Sequence, residues 1–505
     1  MRKLIAAGAM AAATLTAAAA AAGGPAGDLD EGDCVSGELA SDGPCELIPA
    51  AAADGNGSGL NAVESVTVSR NGRFVYAAAR ADASIARFRR RGDGSLLYLG
   101  CVSGNSDSSC AAIRRARSGG VGSGLQDVRA LVLSRDGDSA YAAVAGADAV
   151  ARFRVGREGK LRYRGCIGGD SDAACREIRH ATPGGADSGL DHPKSLTLSR
   201  NGKSLYVAAT NDAAIVRFRR NRKTGALRFG GCITGESGSG PAGSRACRQI
   251  PEANGQGDDT GLDDARGLAL SPDSRWLYGV SSDDDAVFKF KRNRRSGRLA
   301  FRGCTTGESE SVPACAPVVG VSPAGANSGF DDLRALTITH DGRSVYVTSR
   351  GDDAVVEFRR NLRKGTLTYK RCLSGDLDSA AGEPCDSVPV TATNGEDSGM
   401  DGAEGVVASR DGRSVYISGS NDASVVEFTR SPATGALTFK FCDSGDYETG
   451  HFVGTAACSE LSLSTAEGDN SGIGFPQFMA LSRDDRSLYV AAAGDDSVFH
   501  FARER

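Results

Sequence analysis

The chain has 505 residues, a formal net charge of −4 at pH 7, 14 cysteines and 67 glycines. This near-neutral balance gives no general attraction for nucleic acid or acidic lipid. An even number of cysteines favours a disulfide framework over metal sites if the chain is exported.

The chain begins "MRKLIAAGAMAAATLTAAAAAAGGPAGD", which combines a basic start, an apolar run and small residues. This pattern is typical of a secretory signal peptide, so we expect residues 1–22 to be removed and residues 23–505 to remain. No other stretch approaches the roughly 20 apolar residues that a membrane helix needs. The sequence therefore predicts a soluble protein outside the cytoplasm.

The cysteines form seven pairs that recur every 65 to 72 residues. The two members of a pair are 9 to 16 residues apart, which favours one local disulfide in every repeat. No pair forms a CxxC motif and the five histidines do not accompany the pairs, which argues against zinc. The expected disulfides are Cys34–Cys45, Cys101–Cys110, Cys166–Cys175, Cys232–Cys247, Cys304–Cys315, Cys372–Cys385 and Cys442–Cys458.

Each repeat has the pattern of four short strands separated by turns. In one repeat, "KSLTLS", "KSLYVAA", "AIVRFRR" and "ALRFGGCITG" are bounded by Asn, Asp and Gly. Alternation of apolar and polar residues over such lengths is the signal of a half-buried antiparallel strand. Seven repeats of this kind predict an all-β fold, a seven-bladed β-propeller with four-stranded antiparallel blades.

The two ends of the repeat array are complementary. The last repeat stops after its third strand, "SVFHFARER", and the mature chain begins with "GDLDEGDCVSG", which matches the fourth-strand pattern "GSLLYLGCVSG". We therefore expect residues 27–37 to form the outer strand of the seventh blade. This pairing would close the ring, remove its free edges and make residues 23–505 a single domain.

The frame "LTLSRNGKSLYVAATNDAAIVRFRRNRKTGALRF" resembles the YVTN-type, lactonase-like propeller family, which includes propeller 6-phosphogluconolactonases and fungal carboxymuconate cyclases. The resemblance spans essentially the whole mature chain and rests on strand and turn residues. It implies the seven-bladed ring and, as one activity, lactone hydrolysis. Members with known chemistry share histidine-bearing motifs near the channel, whereas here only His192, in "DHPKS", lies beside the expected channel mouth. Catalytic residues therefore cannot be carried over from the family.

One position before the innermost strand changes charge from repeat to repeat. A small residue follows it in six of the seven repeats, as expected where seven strands crowd an axis. We therefore expect the variable residues to project at the mouth of the central channel. They are Glu64, Arg129, Lys194, Arg266, Arg334, Glu404 and Gln477, of which the consecutive Arg129, Lys194, Arg266 and Arg334 are called the basic arc.

Three interpretations of this ring remain open. The basic arc and Gln477 are candidates to bind a carboxylate or phosphate of a small anionic molecule. For lactone hydrolysis, Glu64 or Glu404 would activate water, the basic arc would stabilise the oxyanion, and His192 is a further catalytic candidate. In the third interpretation, the mouth is filled with solvent and its charges pair with one another.

Other recurring residues have mainly structural interpretations. An aspartate between the second and third strands is expected to accept hydrogen bonds from its own turn, and a tyrosine in the second strand to pack between blades. The acidic disulfide loops are expected to be ordered surface loops, with calcium binding as the alternative. The turns after the third strand, such as "RRNRKTG", are basic and should share one face with solvated arginines.

These features favour a secreted recognition protein, expected to be monomeric, that binds a small anion and needs no cofactor. An extracellular lactone hydrolase is the second hypothesis. A module that binds a cell-envelope component through the basic face is the third. No aromatic residues interleave with the basic turns, so nucleic acid is not an expected partner.

Overall fold

The computed structural model describes residues 27–39, 45–237, 247–309, 315–322, 325–380, 384–447, 451–452, 455–456 and 458–504. The predicted signal peptide, residues 1–22, lies outside the described residues. Seven five-stranded sheets form the blades of a β-propeller, and the first strand of each blade contacts the first strands of both neighbours. The predicted all-β class and seven-bladed ring are confirmed.

Every blade has the same strand order from the channel outward. The first strands are Val63–Val68, Val128–Leu133, Pro193–Leu198, Ala265–Leu270, Leu333–Ile338, Ala403–Ala408 and Pro476–Leu481, which begin blades 1 to 7. The second strands are Phe74–Ala79, Ser139–Val144, Ser204–Ala209, Trp276–Ser281, Ser344–Ser349, Ser414–Gly419 and Ser487–Ala492. The third strands are Ser84–Arg90, Ala149–Val155, Ala214–Arg220, Ala286–Arg292, Ala354–Arg360, Ser424–Arg430 and Ser497–Arg503.

The outer strands follow the same order. The fourth strands of blades 1 to 7 are Leu96–Asn105, Leu161–Asp170, Leu227–Glu236, Leu299–Glu308, Leu367–Asp376, Leu437–Asp446 and Leu29–Glu38. The fifth strands are Ala111–Arg117, Arg176–Thr182, Cys247–Asn254, Cys315–Ser322, Cys385–Ala392, Cys458–Thr465 and Glu46–Ala52.

Two further strands, His451–Phe452 and Thr455–Ala456, pair with each other. The described helices are single turns, Ser118–Gly120, Ala145–Ala147, Arg157–Gly159, Pro183–Gly185, Leu377–Ala380, Thr393–Gly395 and Ala466–Gly468.

The second strand of every blade is buried along its whole length. In blade 1 this strand is FVYAAA, in which three alanines follow the tyrosine. Both faces of the strand lie against neighbouring blades, and close-packed interiors leave room there for few long side chains. The apolar core is accordingly divided into seven clusters, each shared by adjacent blades.

The N-terminal segment closes the ring. Strand Leu29–Glu38 pairs antiparallel with Ser497–Arg503, with Leu29 opposite Arg503 and Ser36 opposite Ser497. The predicted closure of the ring by the N-terminal strand is thereby confirmed. This strand is the fourth of blade 7, and Glu46–Ala52 is the outermost strand of that sheet.

The blades have five strands, so the predicted number of four is wrong. The fifth strand follows the disulfide loop and pairs parallel with the fourth, as in blade 3, where Cys232 lies opposite Cys247. The fifth strand of blade 1, AAIRRAR, has a single buried side chain, Ile113. Such a strand shows almost no apolar alternation, which is why the sequence pattern did not reveal it.

All fourteen cysteines form the seven predicted local disulfides, with Cα–Cα distances of 4.3 to 4.8 Å. Each bridge packs against a glycine of the loop that precedes the first strand. In blade 1 this is Gly59, at φ +98°, where an added Cβ would lie 2.5 Å from the Cys110 sulfur. The recurring "SG" of the repeat therefore reflects both the backbone conformation and the disulfide beside it.

A tyrosine and an arginine join adjacent blades. In blade 5, the Tyr346 hydroxyl donates to the Gly435 carbonyl of blade 6 at 2.6 Å. The same hydroxyl accepts from Nε of Arg430, the last residue of the third strand of blade 6, at 2.8 Å. Arg430 is 2% exposed and also donates to Ser344 Oγ at 3.0 Å. We call this arrangement the tyrosine clamp.

The tyrosine clamp occurs at six of the seven joints between blades. Its members are Tyr489 with Arg90, Tyr141 with Arg220, Tyr206 with Arg292, Tyr278 with Arg360, Tyr346 with Arg430, and Tyr416 with Arg503. The joint of blades 1 and 2 lacks the arginine, because the third strand of blade 2 ends in Val155. Tyr76 of blade 1 donates to the Gly159 carbonyl of blade 2 and has no arginine partner at its hydroxyl. The predicted packing of the tyrosines between blades is confirmed. Five of the six clamp arginines are buried and Arg90 is partly buried, unlike the solvated arginines expected in the basic turns.

The clamp predicts a difference between two tyrosine variants. Tyr346→Phe leaves the buried Arg430 Nε and the Gly435 carbonyl without their partner, at about 1–3 kcal/mol for each group left unpaired. Tyr76→Phe deprives only the Gly159 carbonyl of a partner. Urea unfolding should show a clearly larger loss of stability for Tyr346→Phe. Equal losses for the two variants would contradict the proposed importance of the arginine.

Candidate functional site

A recurring aspartate holds the loops that precede the first strands. In blade 1, Asp82 accepts hydrogen bonds from the N–H groups of Gly57, Gly59 and Asn61 at 2.6 to 3.2 Å. The expected bonding to its own turn is wrong, because the donors lie 21 to 25 residues upstream. Equivalent contacts are made by Asp212, Asp284, Asp352, Asp422 and Asp495.

A second aspartate links some blades to the next. In blade 4, Asp285 accepts from the N–H of Asp332 in blade 5 at 2.9 Å. Asp148 of blade 2 likewise accepts from the N–H of His192 at 2.8 Å, which explains why this aspartate is shifted by one place in the repeat. Asp353 and Asp496 accept from Gly402 and Ala62 in the same way. Each acceptor fixes the backbone two residues before a variable position of the channel mouth.

The structure brings all seven variable residues together around one cavity of about 360 Å³. This volume lies within the roughly 300–1,000 Å³ typical of small-molecule sites. Apolar side chains line the same cavity, among them Phe475, which is 42% exposed. The predicted position of the ring therefore agrees with the geometry, whereas the roles of its members stay predictions.

His192 is not among the residues that line the cavity. His192 is half-buried and lies two residues before Lys194, and its backbone has a φ of +50°. Burial, followed by the charges of Lys194 and Arg129, lowers the pKa of His192. The histidine is thus held beside the cavity, and a neutral imidazole is favoured there.

Carboxylates neutralise the basic arc. Asp127 lies 2.8 Å from Arg129 Nε, and Asp264 lies 3.6 Å from Lys194 Nζ. Asp264 also pairs with Arg266, in the same arrangement as Asp332 with Arg334. Sequence reasoning missed these acids, although the spacing "DVR", "DAR" and "DLR" places one of them two residues before each arginine.

The two glutamates of the ring have different surroundings. Glu64 contacts Arg129 at 3.2 Å and Arg80 at 3.6 Å. Glu404 is 8% exposed and lies 3.9 Å from Nε of both Arg334 and Arg350, a separation too long for a hydrogen bond. Burial raises the pKa of Glu404, although the charge of Arg334 opposes this shift. Glu404 is therefore the ring carboxylate that is less firmly paired.

Several buried donors at the cavity are unsatisfied, among them Ser65 Oγ and Arg129 Nε. Nε of Arg334 and Nε of Arg350 have no hydrogen-bond partner among the residues that the structure describes. A buried donor without a partner costs about 1–3 kcal/mol, so an oxygen atom from water or a ligand is favoured at this place. Sequence reasoning missed Arg350 and Arg80, because both lie in turns after the second strand, outside the variable position.

One set of three carboxylates in the described chain has a spacing suited to a cation. Oxygen atoms of Asp187, Asp212 and Glu236 lie within 4.8 Å of one another. Asp212 already accepts the N–H of Asp191 at 2.8 Å, so its burial has a structural cause without an ion. Calcium binding near the disulfide loops stays a prediction.

The described helices include none with the length and apolar character needed to cross a membrane. Monomeric state, partners and the absence of nucleic-acid binding stay predictions.

Known proteins resemble this chain in fold. No family model matches its sequence, and no curated protein sequence matches it significantly. A solved protein from Lactobacillus plantarum is 13% identical with a TM-score of 0.50, over 78% of this chain and 86% of that one. The periplasmic gluconolactonase of Pseudomonas aeruginosa is 16% identical with a TM-score of 0.48, over 75% and 84%. A Bacteroides uniformis protein provisionally described as a 6-phosphogluconolactonase is 15% identical with a TM-score of 0.47, over 74% and 83%.

The likeness to the Lactobacillus plantarum protein shows a shared fold and decides nothing about activity. The chain is a seven-bladed β-propeller with solved neighbours that include lactonase-like proteins. Membership of the YVTN-type family stays a prediction.

The aspartates that link the blades predict a stability that depends on pH. Burial, followed by the charge of Asp331, raises the pKa of Asp285 to about 9, and burial with Asp401 does the same for Asp353. Between about pH 4 and pH 9, the folded state then holds protons that the unfolded state has released, so the free energy of unfolding falls as pH rises.

Thermal melting between pH 5 and pH 9 measures this effect. We expect the melting temperature to fall with rising pH, and to fall less in the variant Asp285→Asn/Asp353→Asn. Asparagine keeps the oxygen that accepts the backbone N–H groups of Asp332 and Gly402 but does not ionise. An unchanged pH dependence in this variant would show that the two carboxyls titrate normally.

Proposed function

We propose that this chain is an exported β-propeller that binds a small hydroxylated anion in the cavity at the channel mouth. Export is supported by the seven disulfides, which form in oxidising compartments, and by the signal-like N-terminal sequence.

The observation that carries this proposal is the pair of unsatisfied guanidinium donors. Arg334 Nε and Arg350 Nε are buried on the cavity wall and both lie 3.9 Å from Glu404. A ligand oxygen within reach of both would satisfy them, and Glu404 would accept a hydrogen bond from a ligand hydroxyl. The site therefore suits a molecule with both a carboxylate and hydroxyl groups, such as a sugar acid.

The ion pairs of the basic arc limit the charge of this ligand. All four members of the basic arc are within ion-pair distance of an acidic side chain, and for Arg334 this contact is made by Nη2 and not by Nε. A highly charged anion would have to compete with these carboxylates, whereas a monoanion needs only the donors of Arg334 and Arg350. The exposed ring of Phe475 at the cavity offers an apolar contact for a sugar face.

Calorimetric titration with gluconate and other aldonates tests the binding. We expect saturable binding by the wild type and at least about tenfold weaker binding by Arg334→Gln and by Arg350→Gln, because each variant loses a charge-assisted hydrogen bond. Arg343→Gln, an exposed arginine in a turn at the opposite end of the first strand, serves as the control. Absence of binding by the wild type across the panel, or equal weakening in all three variants, would contradict the proposal.

Lactone hydrolysis is the second candidate function, favoured by the environment of Glu404. A carboxylate with a raised pKa is a better general base near neutral pH. Glu404 would take a proton from water while the water oxygen bonds to the lactone carbonyl carbon. Arg334 and Arg350 would stabilise the resulting oxyanion, and the ring oxygen would leave with the proton returned by Glu404. A role for His192 in this reaction, and the cell-envelope hypothesis, stay predictions.

A panel of aldonolactones distinguishes hydrolysis from binding alone. If the protein is a hydrolase, Glu404→Gln should lower kcat/KM by at least about 100-fold, because the general base is lost. Glu64→Gln should have a smaller effect, since Glu64 is held by Arg129 and Arg80. Turnover that is indifferent to Glu404→Gln would exclude this mechanism. Saturable binding of aldonates without turnover would leave binding as the function.

A further inference from the structure

Five arginines surround the other end of the central channel. Each follows the serine at the end of a first strand and begins the turn to the second strand, on the face opposite the cavity. Their blades, 6, 7, 1, 2 and 3, are consecutive around the ring, and blades 4 and 5 have Pro272 and His340 at this position. We call the five residues the arginine rim: Arg410, Arg483, Arg70, Arg135 and Arg200.

Members of the rim bind the backbone of the next blade. Arg483 Nη1 donates to the Arg70 carbonyl at 3.0 Å, and Arg70 Nη1 donates in turn to the Arg135 carbonyl. Arg200 Nη1 donates to the Pro272 carbonyl at 3.0 Å. A guanidinium has five N–H donors, so these contacts orient the groups and leave most donors free.

No carboxylate forms an ion pair with the guanidinium groups of the rim. Within the described parts of the chain, none of these five guanidinium groups has an acidic oxygen within 4.0 Å, unlike the basic arc at the cavity. Asp485 lies in the turn of blade 7 and accepts the backbone N–H groups of Arg410 and Asp411 at 2.9 and 3.1 Å. The acids of the same turns are occupied elsewhere. Asp136 binds Arg220 at 3.1 Å, Asp411 binds Arg503 at 3.1 Å, and Asp484 binds Arg90 at 3.0 Å, all in clamps between blades.

The arginines of the rim are close enough to repel one another. Desolvation, followed by the charges of Arg200, Arg70 and Arg483, lowers the pKa of Arg135. These groups come from blades 3, 1 and 7, so the positive charges of three other blades act on Arg135. Like charges that act on one another raise the energy of the empty site. An anion bound among them would replace this repulsion with attraction.

We propose that the arginine rim is a binding site for a small multivalent oxyanion at the second opening of the channel. Phosphate and carboxylate groups match the planar donor fork of a guanidinium, and several arginines can share one anion. The rim position itself holds Pro272 and His340 in blades 4 and 5, so a neutral part of the ligand can extend on that side. This site differs in residues, face and ligand charge from the cavity of the proposed function.

Calorimetric titration of the full protein at low ionic strength tests the site, with tripolyphosphate as the phosphate probe and citrate as the carboxylate probe. We expect at least one probe to bind the wild type saturably and the variant Arg70→Gln/Arg135→Gln at least about tenfold more weakly, since two charge-assisted contacts are lost. Binding should weaken steeply with salt. Binding of only one probe would identify which oxyanion class the rim selects.

The control is Arg275→Gln/Arg343→Gln, which removes the same charge from turns on the same face in blades 4 and 5. Arg275 pairs with Asp273 at 3.6 Å, and the charge of Arg343 acts on Asp341, so neither arginine belongs to the rim. This control should bind within about threefold of the wild type, as expected for surface charges outside a site. Should circular dichroism show that the rim variant is unfolded, Arg483→Gln replaces it with the same expected direction. Failure of both probes to bind the wild type, or equal losses in rim and control variants, would overturn the proposal.

Discussion

A guanidinium lies at six of the seven joints of the propeller, buried at five of them and partly buried at Arg90. The ring depends on the hydrogen bonds and the counter-charges that these guanidinium groups receive. Removing a charge from water is costly unless hydrogen bonds and a counter-charge replace the solvent. Arg430 meets this condition through Tyr346, Ser344, the Gly412 carbonyl and the carboxylate of Asp341 at 3.6 Å. Because all but one of these acceptors belong to the preceding blade, the arginine is satisfied only when two blades are correctly joined.

The clamps also determine where charge remains available. Turn acids that bind clamp arginines cannot neutralise the arginine rim, so one end of the channel keeps an excess of positive charge. At the other end, Asp264 and Asp332 lie two residues before arginines of the basic arc, and that mouth is close to neutral. The same repeat thus produces two channel openings with different electrostatics. The variable position of the repeat changes charge freely because its partners lie in the mouth itself, outside the packed joints.

The repetitive features could be predicted from the sequence, because each pattern recurs in all seven repeats. Strand alternation, the cysteine pairs and the match between residues 27–37 and the other fourth strands indicated the blades, the disulfides and the closure of the ring. The fifth strands were missed because a strand with one buried side chain, such as Ile113, lacks alternation. The sequence also predicted that the seven variable residues lie together at the channel mouth, where they line the cavity. It did not reveal that Arg430 is buried or that Arg350 lies at the cavity beside Glu404, since both depend on how blades are oriented.

The closure of the ring has a consequence for biosynthesis. The fourth strand of blade 7, Leu29–Glu38, is made long before its antiparallel partner, Ser497–Arg503. The early strand must therefore wait, with an unpaired edge, until Ser497–Arg503 has been made. Its disulfide partner is only 11 residues away, so the Cys34–Cys45 bond can form long before the ring is complete. Ser497–Arg503 pairs with both Leu29–Glu38 and Ser487–Ala492. A chain that lacks Ser497–Arg503 would therefore leave both strands without a partner, and the ring would stay open.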